Sequence, residues 1–289
     1  MAPIIEVSDE TLEGLDNFEI YYKLIETPIK PIEQVAGLDR RDWINIPYEH
    51  LRQINRQKGG SSMQFNPARL AYSPEVQKAG EKLGVNYQNT SKDLLRRSFV
   101  GNNNWFNSLK FNLALGNKTP NLAEFNNIGF VLFQGMQGKL KLYNVSGKEI
   151  DKQTLKNYFN DIYAVKSPWR AEWIDTDFKV EDRKLYLKDN HILDKNGNLI
   201  SSRTKELQKN TLMKDKVSGI SLTDFLTNPT QQGLPNKETK KGDLYYWHPL
   251  SDNNSVARFN AVSCGAYLSC DRSPSNWYAN LGVRAVRHE

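Results

Sequence analysis

Residues 256–289 read VARFNAVSCGAYLSCDRSPSNWYANLGVRAVRHE, and the alternation of this stretch changes step partway. Ala257, Phe259 and Ala261 share one parity, whereas Ala266, Leu268 and Cys270 share the other. A strand turns successive side chains to opposite faces. The slip of phase therefore predicts a turn or bulge near Cys264 and Gly265, closing a hairpin with one small, apolar face. The other face carries Asn260, Val262, Cys264 and Gly265, followed by Tyr267, Ser269 and Asp271. These residues share no size, polarity or charge. Packing against a core explains the first face and leaves the second unexplained.

A chain of 289 residues can hold one large domain or two small ones and can bury a sizeable core. Hydrophobic content is only 38% and mean hydropathy −0.65, yet there are 6 Trp and 13 Tyr, which suits a loop-rich α+β protein. No apolar run approaches the roughly 18 residues that span a bilayer. The start, MAPIIEVSDETLEGL, lacks the basic end, apolar centre and small-residue cleavage site of a secretory signal, so the expectation is a protein without a membrane span that is cytoplasmic by default or leaves by a route the sequence does not show. Cys264 and Cys270 are the only cysteines, too few for a disulfide framework. The formal charge of +6 is dispersed, because NKETKKGD and KNTLMKDK interleave acids with bases. A nucleic-acid partner needs a continuous basic face. The pattern favours a solvated surface instead.

Along the chain, SDETLEGL predicts a short helix capped by Ser8, after a strand at IIEV. SPEVQKAGEKLG predicts another, with Ser73 as cap and Pro74 at its first position, and a boundary is expected near Gly84. NWFNSLKFNLAL places Trp105, Leu109 and Asn112 at helical spacing. TPNLAEFNNIGFVLF predicts a helix capped by Thr119 with Pro120 first, which puts Leu122 where a capping box wants an acid and Glu124 too late to serve. DKQTLKNYFNDIY supplies a further helix. From PWRAEWIDTDFKV onward the pattern alternates, and Asn196-Gly197 is a hairpin turn signal. Helices first and strands last predict the α+β class, with residues 1–84 as an N-terminal accessory region and 85–289 as the main domain.

Glycine-rich phosphate loops, a G-x-S-x-G elbow and a His pair at metal spacing are all absent from the sequence. His50, His191, His248 and His288 are scattered and read as solvent-facing or strand-end residues. Glu172, Asp175, Asp177, Glu181 and Asp182 surround Trp173; two carboxylates on one face can do acid–base chemistry on sugars, but exposed strand and turn positions are the plainer reading. Asp252, Asn253 and Asn254 suit an Asx-rich turn as well as they suit calcium. Tyr245 and Trp247 share a face apart from Tyr246, and packing is favoured over sugar stacking. No catalytic group, metal ligand or cofactor site emerges.

Lysine is frequent up to Lys241 and then stops; Arg258, Arg272, Arg284 and Arg287 carry the remaining positive side chains. Asparagine is abundant elsewhere but missing between Ala261 and Ser275. With SVARF, LSCDRSPS and LGVRAVRHE, this tail resembles the variable region of a diversity-generating retroelement target protein of the archaeal type. The resemblance is closest over about 243–289 and extends more weakly through NWFNSLKFNLALGNKTPNLAEF and SPWRAEWIDTDFK. It implies a C-type lectin-like fold, helices packed on small antiparallel sheets, that displays variable side chains to a macromolecular ligand of the protein class. TPNLAEF and LGVRAVR also resemble the formylglycine-generating-enzyme branch of that fold.

In such systems an error-prone reverse transcriptase randomises template adenines, so AAY asparagine codons diversify widely and lysine codons, which risk becoming stops, are avoided. The resemblance thus implies ligand-binding variable positions at Val262, Cys264, Gly265, Tyr267, Ser269 and Asp271, and at Ser273, Tyr278 and Ala279 in the loop that follows. Asn260 and Asn276 are unmutated or revisited positions of the same kind, and Trp277 is reachable from an AGG arginine codon. The Glu-Pro-Asn and Trp-Asn-Asp motifs of calcium-dependent lectins are absent, so sugar recognition is not inherited with the fold. The resulting expectation is a non-catalytic receptor; the alternative is a modifying enzyme of the formylglycine-generating type that uses its cysteines. A third class, a structural module that joins other proteins through residues 1–84, stands beside these.

Overall fold

Short polar caps start the helices of this protein. Ser73 accepts a hydrogen bond from the Val76 N–H, Pro74 opens α1 (Pro74–Leu83), and Gly84 stops it in the left-handed region at φ 63°. Asn104 caps α2 (Trp105–Ala114) in the same way. α3 (Leu122–Met136) begins two residues later than the Thr119–Pro120 signal predicts. Asn121 accepts from the Glu124 N–H at 3.0 Å while the Glu124 carboxylate accepts from the Asn121 N–H at 2.9 Å, a complete capping box. Thr119, the expected cap, is buried and accepts from Asn112 instead. α4 (Lys152–Tyr163) and α5 (Leu222–Thr227) complete the five α-helices among the described residues.

The computed structural model describes residues 39–51, 62–71, 73–85, 88–92, 98–163, 169–262 and 265–289. The helix expected at Ser8 and the strand before it lie outside them. The strands are β1 (Ile44–Ile46), β2 (Met63–Phe65), β3 (Gln88–Lys92), β4 (Ser98–Gly101), β5 (Tyr143–Asn144), β6 (Arg170–Glu181), β7 (Lys184–Leu193), β8 (Leu199–Glu206), β9 (Lys216–Ile220), β10 (Leu244–Trp247), β11 (Ser255–Val262), β12 (Gly265–Arg272), β13 (Leu281–Gly282) and β14 (Val286–His288). The larger sheet runs β8-β7-β6-β11-β12-β10-β9, with β13 laid parallel on β6 and β10 parallel to β12. The smaller sheet runs β14-β2-β1-β5, and β3 pairs with β4. The protein is of the α+β class, and no helix among the described residues is long and apolar enough to cross a membrane.

Residues Gln34–Glu289 form one compact unit. Gly84 is a helix stop, not a linker, and β2 pairs antiparallel with β14 at the other end of the chain (Phe65 opposite Val286). The apolar side of the β11–β12 hairpin packs as the alternation predicts. Phe259 and Leu268 face each other across the ladder and are buried, as are Ala257, Ala261, Ala266 and Cys270. The Phe259 ring meets Phe125 of α3 at 5.4 Å and Tyr163 of α4 at 5.0 Å, so this side of the sheet rests on two helices.

The carboxylates around Trp173 are not the exposed groups their polarity predicts. Glu172, Asp175 and Asp177 are buried because β6 lies inside the sheet, between β7 and β11; only Glu181 and Asp182 reach solvent. Each buried acid has a cation. Glu172 binds Arg284 and Arg69, and Asp175 hydrogen-bonds His191, which lies near the end of β7 and is buried rather than solvent-facing. Burial works against the His191 imidazolium, but Asp175, Asp177 and Asp189 outweigh it and raise its pKa.

Arg284 organises the unit. Its guanidinium, fully buried, donates to Glu172 of β6 at 2.8 and 2.9 Å, to Asp161 of α4 at 2.5 Å and to the Pro67 carbonyl before α1. Burial alone would raise the Asp161 carboxyl, but Arg284, Arg69 and Arg170 hold it well below the usual carboxylate range. Removing one partner of such a cluster strands the other charges without solvent, at about 3–5 kcal/mol. Arg284→Ala is therefore expected to lower unfolding free energy by about that amount in urea titrations. A group whose folded pKa is depressed contributes stability above its ordinary pKa and loses it as pH falls. Wild-type stability should thus drop below about pH 4, and in Arg284→Ala the drop should be shallower.

Candidate ligand-binding face

The side of the β11–β12 hairpin turned away from α3 and α4 is built from three strands. Across the ladders, Tyr245 of β10 lies beside Tyr267 of β12, and Tyr267 lies beside Asn260 of β11; Trp247 lies beside Ser269, which faces Arg258. On the far side of β11, Arg258 is opposite Trp173 and Asn260 opposite Ala171 of β6. The shared period of two places all these residues on one face.

Two regions divide that face. Towards β6 it is dry: Trp105, Leu109, Ala171, Trp173, Val256 and Leu281 form a second core cluster. Towards β10 it carries an aromatic ladder. Tyr245 stacks on Tyr267 with centroids 4.9 Å apart, and Tyr267 stacks on Trp247 at 5.2 Å. The three rings are half-buried, so they pack on one another and still present edges to solvent. The loop after β12 forms the rim, with Trp277 63% exposed and Tyr278 43% exposed.

A bulge shifts the outer face between Val256 and Arg258. Val256 pairs with Arg272 and Arg258 with Ser269, so β12 spends one extra residue across the same span. Beyond it, Arg272 takes the parity expected for Asp271, and its guanidinium lies 6.0 Å from the Trp247 ring. Arg258 lies 5.9 Å from the Trp173 ring and 5.6 Å from that of Tyr278. Burial lowers the Arg258 pKa to about 10, and the nearby Arg272 adds to the effect; Arg258 remains a cation at neutral pH.

The sequence-derived positions are distributed unevenly over this surface. Asn260 and Ser269 are on the expected face but buried, because the aromatic ladder and the Arg258 side of the face cover them. Val262, Tyr267, Asp271, Ser273 and Asn276 are half-buried, and Trp277, Tyr278 and Ala279 are exposed. Cys264 lies outside the described residues. Ser273 organises the rim: its hydroxyl accepts from the Ser275 N–H and its carbonyl from the Asn276 N–H. The Tyr278 carbonyl accepts from the Asn102 and Leu281 N–H groups, fixing the loop where β13 begins.

Tyr245, Trp247, Arg258 and Arg272 complete the face, and the variable-position pattern misses them. Parity gives three of the four: Tyr245 and Trp247 alternate with the buried Tyr246, and Arg258 is in phase with Asn260. Arg272 joins only through the bulge, which leaves no mark in the sequence. Asp252 settles into a turn, accepting from the Asn254 N–H and the Ser255 hydroxyl, with Asn253 at φ 57°. Cys270 is fully buried, and burial pushes its thiol well above the ordinary range. No group of three or more His, Cys, Asp or Glu among the described residues could hold a metal ion.

No family model, curated protein or solved structure matches the chain.

Gly265 is buried beside the ladder and packs against Tyr245. A Cβ there would sit 2.6 and 2.8 Å from Tyr245 Cε2 and Cδ2, so any side chain must push that ring off Tyr267. Gly265→Val is expected to weaken the near-ultraviolet circular dichroism of the tyrosine stack while leaving the far-ultraviolet spectrum unchanged. Identical near-ultraviolet spectra would show that the ring does not depend on the missing Cβ.

Proposed function

We propose that the protein is a non-catalytic receptor, diversified by a retroelement, that binds a protein ligand through the outer face of β11–β12 and the 273–279 loop on a C-type lectin-like scaffold. One observation carries this reading. Among the described residues reachable by adenine mutagenesis, Asn260, Val262, Gly265, Tyr267 and Ser269 share one side of the hairpin and Ser273, Asn276, Trp277, Tyr278 and Ala279 lie in the loop that follows, while the alternate residues of the same two strands are small or apolar and buried. A diversifying system needs this separation, because substitutions away from the core usually change stability by no more than about 0.5 kcal/mol. The lysine-free tail and the asparagine gap between Ala261 and Ser275 support it at the codon level.

The enzymatic alternative requires a thiolate within reach of substrate. Cys270 belongs to the apolar side of the hairpin and has its thiol pushed up by burial, which argues for a packing role. The receptor reading is the stronger of the two.

Sequencing this locus in related cells provides the direct test. Differences are expected to concentrate at the codons for residues 260–279 and to spare Ala257, Phe259, Ala261, Ala266, Leu268 and Cys270. An even spread of differences along the chain would refute diversification.

Binding energy should reside in the aromatics of the rim and of the ladder, which bury much area at low rotamer cost. For a protein ligand of this variant, Trp277→Ala or Tyr267→Ala is expected to weaken affinity by roughly 2 kcal/mol or more, with melting unchanged. Phe259→Ala should instead destabilise the unit by roughly 3–5 kcal/mol. Titrations and melting curves on the three variants separate these roles. If Trp277→Ala unfolds the protein and Phe259→Ala does not, the two faces are reversed.

A further inference from the structure

His191 is buried in β7 with a carboxylate against each of its ring nitrogens. Its Nδ1 meets Asp175 Oδ1, its backbone N–H donates to Asp175 Oδ2 at 3.0 Å, and its Nε2 lies 3.5 Å from Asp177 Oδ1. A neutral imidazole carries one N–H and one lone pair. One nitrogen of a neutral ring would therefore turn its lone pair on a carboxylate, whereas the doubly protonated ring suits both neighbours. The neighbouring acids have partners of their own. Arg203 of β8 pairs with Asp189 at 2.5 Å, Lys179 with Asp177 at 3.5 Å, and His288 of β14 with Glu124 of α3 at 2.8 Å. Among the described residues no other cation comes within ion-pair distance of Asp175, so the imidazolium is its counter-ion.

The Trp105 ring, from α2, packs nearly perpendicular to that imidazole, with centroids 5.0 Å apart and planes at 87°. Trp105 is tied in two further directions. Its indole N–H donates to the Ile174 carbonyl, next to Asp175, at 2.8 Å, and its backbone N–H donates to the Pro274 carbonyl at 3.0 Å. Three residues earlier the Asn102 N–H donates to the Tyr278 carbonyl at 3.0 Å, and between them the Asn103 carbonyl accepts from the Trp173 indole at 3.1 Å. Residues 102–105 thus hold the rim loop by its backbone near both ends. A neutral His191 ring satisfies one carboxylate and must turn or shift away from the other. In a packed core that movement displaces Trp105, and with it the grip on the loop.

We propose that His191 is a proton-operated latch for the rim: its imidazolium, held between Asp175 and Asp177, seats Trp105 and so keeps the 273–279 loop docked, and loss of the proton releases the loop. Burial works against the charged ring, but Asp175, Asp177 and Asp189 outweigh it, so release comes above the ordinary histidine pKa of about 6.5. A base whose folded pKa is raised contributes stability that is present below its ordinary pKa and lost as pH rises through the folded value. The loop is therefore docked on the acid side and loosens on the alkaline side. Burial also raises the Asp177 carboxyl and pushes Asp189 up to about 6. Protonating either acid leaves the Asp175–His191 pair in place, so mild acid does not open the latch. The latch stands apart from the receptor reading. Where that reading holds, ligand affinity falls as the proton leaves, because a released loop must be ordered again on binding.

The test follows the His191 ring Cε1–H resonance of the full-length, isotope-labelled protein across the neutral and alkaline range, assigned with His191→Gln. Amide hydrogen exchange is measured on the same samples and corrected for its intrinsic pH dependence. Expected is a tenfold or greater loss of protection at the Trp105 and Asn102 amides, with the same midpoint as the ring. The Leu155 amide in α4, which donates to the Asp151 carbonyl, should keep its protection. Asp177→Asn removes one of the two carboxylates and should move both midpoints together to lower pH. His191→Gln should leave the two rim-holding amides poorly protected at every pH. Protection that stays flat while His191 titrates overturns the latch, as does a rim step that keeps its midpoint when Asp177→Asn moves that of the ring. Equal loss at Leu155 indicates global opening and overturns it as well. A His191 that titrates below about 6.5 overturns the charged-ring geometry. The wild-type curves decide the matter even where a variant fails to fold. An even spread of differences at the locus would remove the receptor reading and leave these curves standing, so the two failures are distinguishable.

Discussion

A single buried guanidinium joins segments that the chain keeps far apart. Arg284 binds Glu172 in the middle of the large sheet, Asp161 at the end of α4 and the Pro67 carbonyl on the approach to α1. Arg69 and Arg170 crowd the same carboxylates, so three cations share two acids at a site with no solvent. Burying charge in this way adds little net stability, because desolvation cancels much of the Coulombic attraction. A misplaced segment would strand a charge there, and the face built on β11 and β12 is tied to the same site, since β11 pairs with β6 alongside Glu172.

The helices and the hairpin were legible because their signals are local. Ser73-Pro74 marks a helix start, and the alternation from Ala257 to Cys270 marks a buried face, whatever lies elsewhere in the chain. The cap of α3 was misplaced because Thr119-Pro120 is a good local signal that Asn121 and Glu124 outcompete through a reciprocal pair of hydrogen bonds. Long-range facts were not legible. Nothing near Glu172 or Asp175 announces Arg284 or His191, and polarity alone placed those acids in solvent. The pairing of β2 with β14 is of the same kind, since the two strands lie far apart in the sequence.

Of the candidate face, parity showed which residues share a side and could not show which of them reach solvent. Asn260 and Ser269 are in phase with Tyr267 but buried, because the stacked rings of β10 and β12 and the arginines around them occupy the space above. The bulge at Val256 puts Arg272 where strict alternation puts Asp271, so a second guanidinium joins Arg258 on that side.

The pairing of β2 with β14 bears on how the protein is made. The contacts that close the smaller sheet and seat Arg284 span 217 residues of sequence between Pro67 and Arg284. During synthesis β1 and β2 emerge long before their partner, leaving an unpaired strand edge on the ribosome until residue 286 has cleared it. Non-local pairings of this kind slow folding and lengthen exposure to aggregation. Expression yield should therefore respond to temperature and chaperone supply more strongly than equilibrium stability does.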